Sequence, residues 1–182
     1  MKNRQERPYT VTKSETAWSS PWYKVRRDQI ELPDGRTGEY NVVEKEPAVV
    51  VVPMTEMDEV VMINIYRHTT DRWSWEVPAG SVKPTQTPEL AAIEELHEEI
   101  GGTADNLILL GQFYTMNGIS NELCYYYLAT NITLGDMHHE PLEIMTRHIR
   151  PWPDVLKMIQ NGEIKDSLTA LALTLTDQHF KF

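Results

Sequence analysis

Three carboxylates, Glu95, Glu98 and Glu99, recur at i, i+3, i+4 within Glu94-Glu95-Leu96-His97-Glu98-Glu99. At helical spacing they share one face. Like charges that close repel, and near a helix C-terminus the backbone dipole disfavours each by about 0.3–1 kcal/mol. Something must offset that cost. Hard divalent cations can, because they accept several flexible oxygen ligands at once. The competing explanation is a solvated acidic face, which charge runs of this kind commonly form. The residues around the cluster have to separate the two.

Those residues read as a helix and the strands that carry it. Thr87-Pro88-Glu89 offers an oxygen cap, a proline at the first helical position and an acid facing the dipole. Gly101-Gly102 is a stop signal, and Ile93, Leu96 and Ile100 supply an apolar stripe on another face. "AVVVVPM" and "EVVMINIYRH" are β-branched runs that read as core strands. "WSWEVPAGSV" reads as a short strand ending at Pro78, and "LILLGQFYTM" with "ELCYYYLATNI" as a strand pair. "WYKVRRDQIELPDGRTGEYNVVEK" alternates around Pro33-Asp34-Gly35 as a hairpin does. Residues 1–17 are polar and expected to fray. "TLGDMHHEPLE" reads as a loop. "PWPDVLKMIQNGEI" and "DSLTALALTLTDQHF" read as helices, the second capped by Asp166 or Ser167. The outline is α/β, with a mixed sheet and few helices.

Composition narrows the function. The chain has 182 residues and a formal net charge of -10. That balance argues against binding nucleic acid or an acidic membrane surface. An anionic small molecule stays open, because a bound cation reverses the local field. The single cysteine, Cys124, excludes an internal disulfide and suits a cytoplasmic setting. No apolar run reaches the length of a membrane span.

Gly80, five residues, Gln86, seven residues, then Glu94-Glu95-Leu96-His97-Glu98-Glu99-Ile100-Gly101-Gly102 resembles the Nudix box, G-x5-E-x7-R-E-u-x-E-E-x-G-u with u a bulky apolar residue. Three positions depart: Gln86 for Glu, Glu94 for Arg and Gly102 for an apolar residue. "VVMINIYR", "WEVPAG", "ELCYYYLA" and "NGEIKDSLTALAL" are similar to the branch acting on ADP-ribose and nucleoside-diphosphate sugars. The resemblance implies an α/β/α sandwich around a mixed central sheet, residues 47–182. It also implies an N-terminal β segment, residues 1–46, that serves dimerisation and helps to build the substrate site.

The same resemblance implies site residues. Glu95, Glu98 and Glu99, with the Ala79 carbonyl, would hold Mg²⁺ or Mn²⁺. A general base would come from the loop "LGDMHHEPLE", with Glu140 first, Glu143 second, and Glu98 in the box as a further candidate. Arg67 is the expected diphosphate clamp, since guanidinium matches phosphate bidentately. Trp22 is the expected stacking surface for a base. Arg27, Glu76 and Gly118 are further candidate substrate contacts. Asn117-Gly118 stands where the branch commonly has proline-glycine, which favours a nucleoside-diphosphate sugar other than ADP-ribose. The implied protein is a homodimeric hydrolase releasing a nucleoside monophosphate and a sugar phosphate. The alternatives are an ADP-ribose pyrophosphatase and, in a different class, a non-catalytic nucleotide-binding or regulatory module.

Overall fold

Thr10–Ser19 is a strand, β1, and not the frayed tail its polarity suggests. It pairs antiparallel with β2, Lys24–Glu31, from Thr10 opposite Glu31 to Ser19 opposite Lys24. Almost all of its side chains face solvent, so no apolar alternation marks it in the sequence; backbone pairing along β2 defines it. β2 turns back into β3, Thr37–Glu44, through the expected hairpin. Gly35 closes that turn at φ 82°, in the left-handed region where glycine is favoured. A computed structural model of the chain describes residues 7–139 and 142–181. They divide into two units. The first is residues 7–46 with 114–122, the latter segment tied on by Val43 N–H donating to Ile119 O at 2.7 Å and by a Lys45–Glu122 ion pair.

The second unit is built on strands buried on both sides. β4, Ala48–Pro53, is buried at every position. Val50 and Val52 enter one core, and Val49 and Val51 enter another. β5, Glu59–Arg67, divides the same way: Val60 and Met62 to the first core, Val61, Ile63 and Ile65 to the second. Period-two alternation with both faces apolar produces the continuous valine run in the sequence. β6, Arg72–Glu76, and β7, Ala79–Ser81, follow. Helix α1, Pro88–Ile100, covers the second core with Ala91, Ala92, Leu96 and Ile100.

Beyond α1 come β8, Gly102–Thr103, β9, Asn106–Tyr114, β10, Leu123–Thr130, and β11, Thr133–Leu134. No sequence expectation covers β12, Met145–Pro151, a mostly polar strand paired antiparallel along β5. Helices α2, Trp152–Gln160, and α3, Ser167–Phe180, cover the first core with Val155, Met158, Ala172 and Leu173. Asp166 caps α3 by accepting the Thr169 N–H at 2.7 Å. Pairing is mixed: β4 runs parallel to β10 and antiparallel to β7. The mixed sheet is divided into a four-stranded sheet, β7-β4-β10-β9, and a three-stranded one, β12-β5-β6, with β11-β8 as a separate ribbon. Among the described residues β4 and β5 share no strand ladder: Met54, just past β4, makes an isolated backbone bridge to Val60, and the edges of β5 pair with β6 and β12. Among the described residues no helix is long and apolar enough to cross a membrane.

Leu96 is fully buried where α1 meets β4 and β5. Leu96→Ala should lower unfolding free energy by about 2–5 kcal/mol, the usual cost of a core leucine truncation with partial collapse. Urea titration checks this, with an unchanged m value; a loss below about 1 kcal/mol would mean the helix is not packed here as described.

Candidate active site

The acidic helix is held by its start, its buried face and its end. Thr87 Oγ1 accepts the Leu90 N–H at 3.3 Å, with Pro88 at the first helical position. The buried residues are Ala91, Ala92, Leu96, Glu99 and Ile100. Ile93, expected inside, is 53% exposed. The helix is rotated so that Glu99, on the opposite flank of the Leu96 stripe, points inward instead. Glu99 Oε2 accepts the Ala79 N–H at 3.1 Å, which sets this carboxylate beside the backbone of Ala79. Glu95 lies against Gly80: a Cβ at that position would collide with its carboxylate. That close approach is why glycine is needed there. Glu98 is half-buried, one turn from Glu95.

At the C-terminus Gly101 adopts φ 61° and its N–H bonds to His97 O at 3.0 Å. The loop after β11 docks there. Gly135 N–H donates to Gly101 O at 2.7 Å, and His138 N–H to Glu98 O at 2.8 Å. The His138 ring stacks on His97 with centroids 5.0 Å apart. Arg147, on β12, donates from Nη1 to the carbonyls of Ile100 and Gly135. A guanidinium on the last carbonyls opposes both the dipole and the acidic cluster. Arg147 has no motif in the sequence; its role comes from the β5–β12 pairing.

The loop between β7 and α1 is fastened to the helix by another set. Lys83 Nζ and Gln86 Nε2 both reach the Glu94 carboxylate, at 2.7 and 2.6 Å. Gln86 Oε1 accepts the Lys83 N–H at 3.2 Å.

Beside the box lies a cavity of about 810 Å³ lined by Arg67, Arg72, Trp73, Glu76, Ala79 and Lys165, among others. Arg67 and Glu76 are both present, as the sequence suggests, but they face each other. Arg67 donates from Nε and Nη2 to the two carboxylate oxygens of Glu76, at 3.1 and 2.7 Å. Glu76 is buried and therefore fixes the guanidinium in the cavity wall, leaving three of its five N–H groups for other partners. The sequence reading missed Arg72 and Lys165, because neither sits in a recognisable pattern and only the fold joins β6 to the α2–α3 connection.

Three candidates lie in the N-terminal unit. Trp22 sits in the β1–β2 turn and is 79% exposed. Arg27 is ion-paired with Glu15. Gly118 has open space where a Cβ would stand. Glu140 lies outside the described residues. Glu143 is described, and its charge reaches both Glu95 and Glu99.

A sequence model of the NUDIX domain matches residues 44–167. The chain belongs to the Nudix hydrolase family. A second model, the nucleoside diphosphate sugar hydrolase N-terminal domain, matches residues 9–43 of this Nudix chain. Similar proteins include an ADP-ribose pyrophosphatase of Mycobacterium tuberculosis (strain ATCC 25618 / H37Rv), 34% identical over 90% of this chain and 80% of its own. An ADP-ribose pyrophosphatase of Bacillus subtilis (strain 168) is 29% identical, covering 95% and 93%. A crystal structure titled ADP compounds hydrolase superposes with a TM-score of 0.85, covering 96% of this chain and 95% of that one; at 20% identity it shows the fold.

The Nudix helix concentrates charge in a place that disfavours it. Burial pushes the Glu95 carboxyl up to about 7, with Glu98, Glu143 and Glu94 adding to the rise and Lys83 opposing it. Burial also raises Glu99 well above the usual carboxylate range, assisted by Glu95 and Glu143 and opposed by the Ala79 N–H and Arg67. Among the described residues neither acid makes an ion pair, and no three carboxylate, imidazole or thiol groups form a ready-made cage. Two carboxylates, Glu99 buried and Glu95 half-buried, fit a hard cation that completes its shell with backbone carbonyls and water. Glu95, Glu99 and the Ala79 carbonyl are the residues placed to hold one, with Glu98 adjacent.

A carboxyl raised from 4.5 to about 7 on folding binds protons more tightly in the native state than in the unfolded one. Its contribution is therefore present below pH 4.5 and lost as pH rises through about 7. The metal-free protein should lose thermal stability between about pH 5 and pH 8, and added Mg²⁺ or Mn²⁺ should restore it most at the upper end, with proton release on binding. Thermal melts across that range, with and without metal, test this; a metal-free Tm that rises with pH would contradict it.

Proposed function

We propose that the protein hydrolyses the diphosphate of a nucleoside-diphosphate sugar to a nucleoside monophosphate and a sugar phosphate, using Mg²⁺ or Mn²⁺. The observation that carries this reading is a pair of glutamates, Glu99 buried and Glu95 half-buried, that make no ion pair among the described residues and stand next to a cavity whose wall holds an oriented arginine. The match of residues 9–43 to an N-terminal domain of nucleoside diphosphate sugar hydrolases supports the substrate class. ADP-ribose comes first in a substrate panel, because both relatives named above carry that activity in their names.

When bound, the cation neutralises phosphate charge and acidifies water. The chain's own residues do the rest. Glu95 and Glu99, with the Ala79 carbonyl, would hold the cation, and Arg67 would bind a phosphate oxygen with the donors Glu76 leaves free. Water adds to one phosphorus, the P–O–P bond breaks toward the other phosphate, and a carboxylate takes the water proton. Glu140 is the first candidate for that base and Glu143 the second, the charge of Glu143 reaching Glu95 and Glu99. Trp22 and Arg27 of the N-terminal segment, residues 1–46, and Gly118 of the 114–122 segment are proposed as substrate contacts, with Trp22 the stacking surface for the base. The large exposed rings on that segment, Trp18, Trp22 and Tyr40, support pairing of two chains through it. The single cysteine of the sequence, Cys124, is buried, which suits a cytoplasmic setting.

Chelation should abolish turnover and Mg²⁺ or Mn²⁺ restore it, with Glu99→Gln losing most of kcat. Glu140→Gln should cut kcat by about 10²–10⁴-fold with binding intact, and Glu143→Gln should do much less. The reverse order would transfer the role to Glu143. Steady-state assays over a nucleoside-diphosphate-sugar panel, with products identified, make the check; no turnover of any member would favour a non-catalytic binding module.

A further inference from the structure

We propose that Lys83, Gln86 and Glu94 form a charge-inverted clasp that positions the metal-bearing helix against its loop. The proposal rests on the reading of the box as a metal site. In the resembled pattern, position 86 is an acid and position 94 a base. Here the acid is on the helix, at Glu94, and the donors are on the loop, at Lys83 and Gln86. The Gln86 amide is used at both ends: its oxygen accepts the Lys83 N–H and its nitrogen donates to Glu94. A further bond, Gln86 N–H to Lys83 O at 2.9 Å, closes the turn that carries both donors. Two donors from the loop therefore meet at one carboxylate on the helix, with their polarity consistent throughout.

The place of that carboxylate gives the clasp its purpose. Glu94 immediately precedes Glu95, and Glu95 sits so close to Gly80 that not even a methyl group fits between them. A small drift of the 80–87 loop would move the seat of Glu95. The Lys83–Glu94 pair is too exposed to add much to global stability, since side-chain exposure is 61% and 35%. Its effect is local geometry, which identifies these three as positioning residues. Partners that orient ligands from behind typically govern metal affinity about 10–100-fold.

Charge swapping in the full-length protein tests this, read by Mn²⁺ binding in electron paramagnetic resonance, by kcat and KM, and by thermal melts. Glu94→Arg sets a cation against Lys83 and removes the acceptor of the Gln86 amide. Gln86→Glu sets two carboxylates together. Each single change should weaken Mn²⁺ binding by about tenfold and lower kcat. The double variant Gln86→Glu/Glu94→Arg restores complementarity and should return Mn²⁺ binding to near that of the unaltered protein. Lys83→Met, which removes only an exposed amine, should weaken Mn²⁺ binding by about threefold with little change in Tm; it decides the matter if Glu94→Arg does not fold. Single variants that bind Mn²⁺ normally, or a double variant no better than the worse single, overturn the clasp alone. An unaltered protein that binds no Mn²⁺ overturns the metal reading and the clasp together.

Discussion

The withdrawal from water of Glu99, fully, and of Glu95, in part, on one short helix is the constraint around which the second unit is arranged. Two carboxylates taken out of water near a helix C-terminus are unfavourable on three counts: desolvation, mutual repulsion and the dipole. Each count has a visible response. The Ala79 N–H donates to Glu99, Gly80 removes the side chain that would crowd Glu95, and Arg147 binds the terminal carbonyl of Ile100. These responses locate the acids and reduce the strain without removing it. The charge that remains is what the proposed cation would neutralise.

Rigid placement of such a cluster demands a stiff support. β4 and β5 provide one by being buried on both faces, so that α1 packs on one core and α2 with α3 on the other. Movement of α1 would open the second core, and movement of β5 would disturb both. The same strands deliver Arg67 at the end of β5 and Ala79 at the start of β7 to the mouth of the cavity. The Arg67–Glu76 pair then orients a guanidinium that would otherwise sample many rotamers. Chemistry and packing are thus supplied by the same few elements.

The N-terminal unit has a different physical character. Its three strands bury little beyond Asp28 and Ile30, and its aromatic residues are largely exposed. Asp28 is held by Arg26 and Ser14, which satisfies the one buried charge of that sheet. A sheet with so small an apolar interior is suited to covering something else, and the proposed roles in substrate recognition and pairing follow from that surplus of exposed ring surface.

The sequence by itself determined the local features. Thr87, Pro88 and Gly101 bounded α1, Asp34-Gly35 marked the hairpin, the valine runs marked β4 and β5, and the spacing of Glu95, Glu98 and Glu99 revealed one acidic face. All of these depend on neighbours within a few residues, so they are written locally. Tertiary structure decided the rest. It rotated α1 so that Glu99 faced inward and Ile93 outward, because the better-packed face was the one with Ala91, Ala92 and Ile100. It made β1 and β12 strands through backbone pairing that polar side chains do not announce. It turned Gln86 and Glu94 from two mismatches into one contact by bringing Lys83 within 2.7 Å, and it tied Arg67 to Glu76. Those outcomes depend on residues distant in sequence meeting in space, and no pattern along a single chain encodes which of them will.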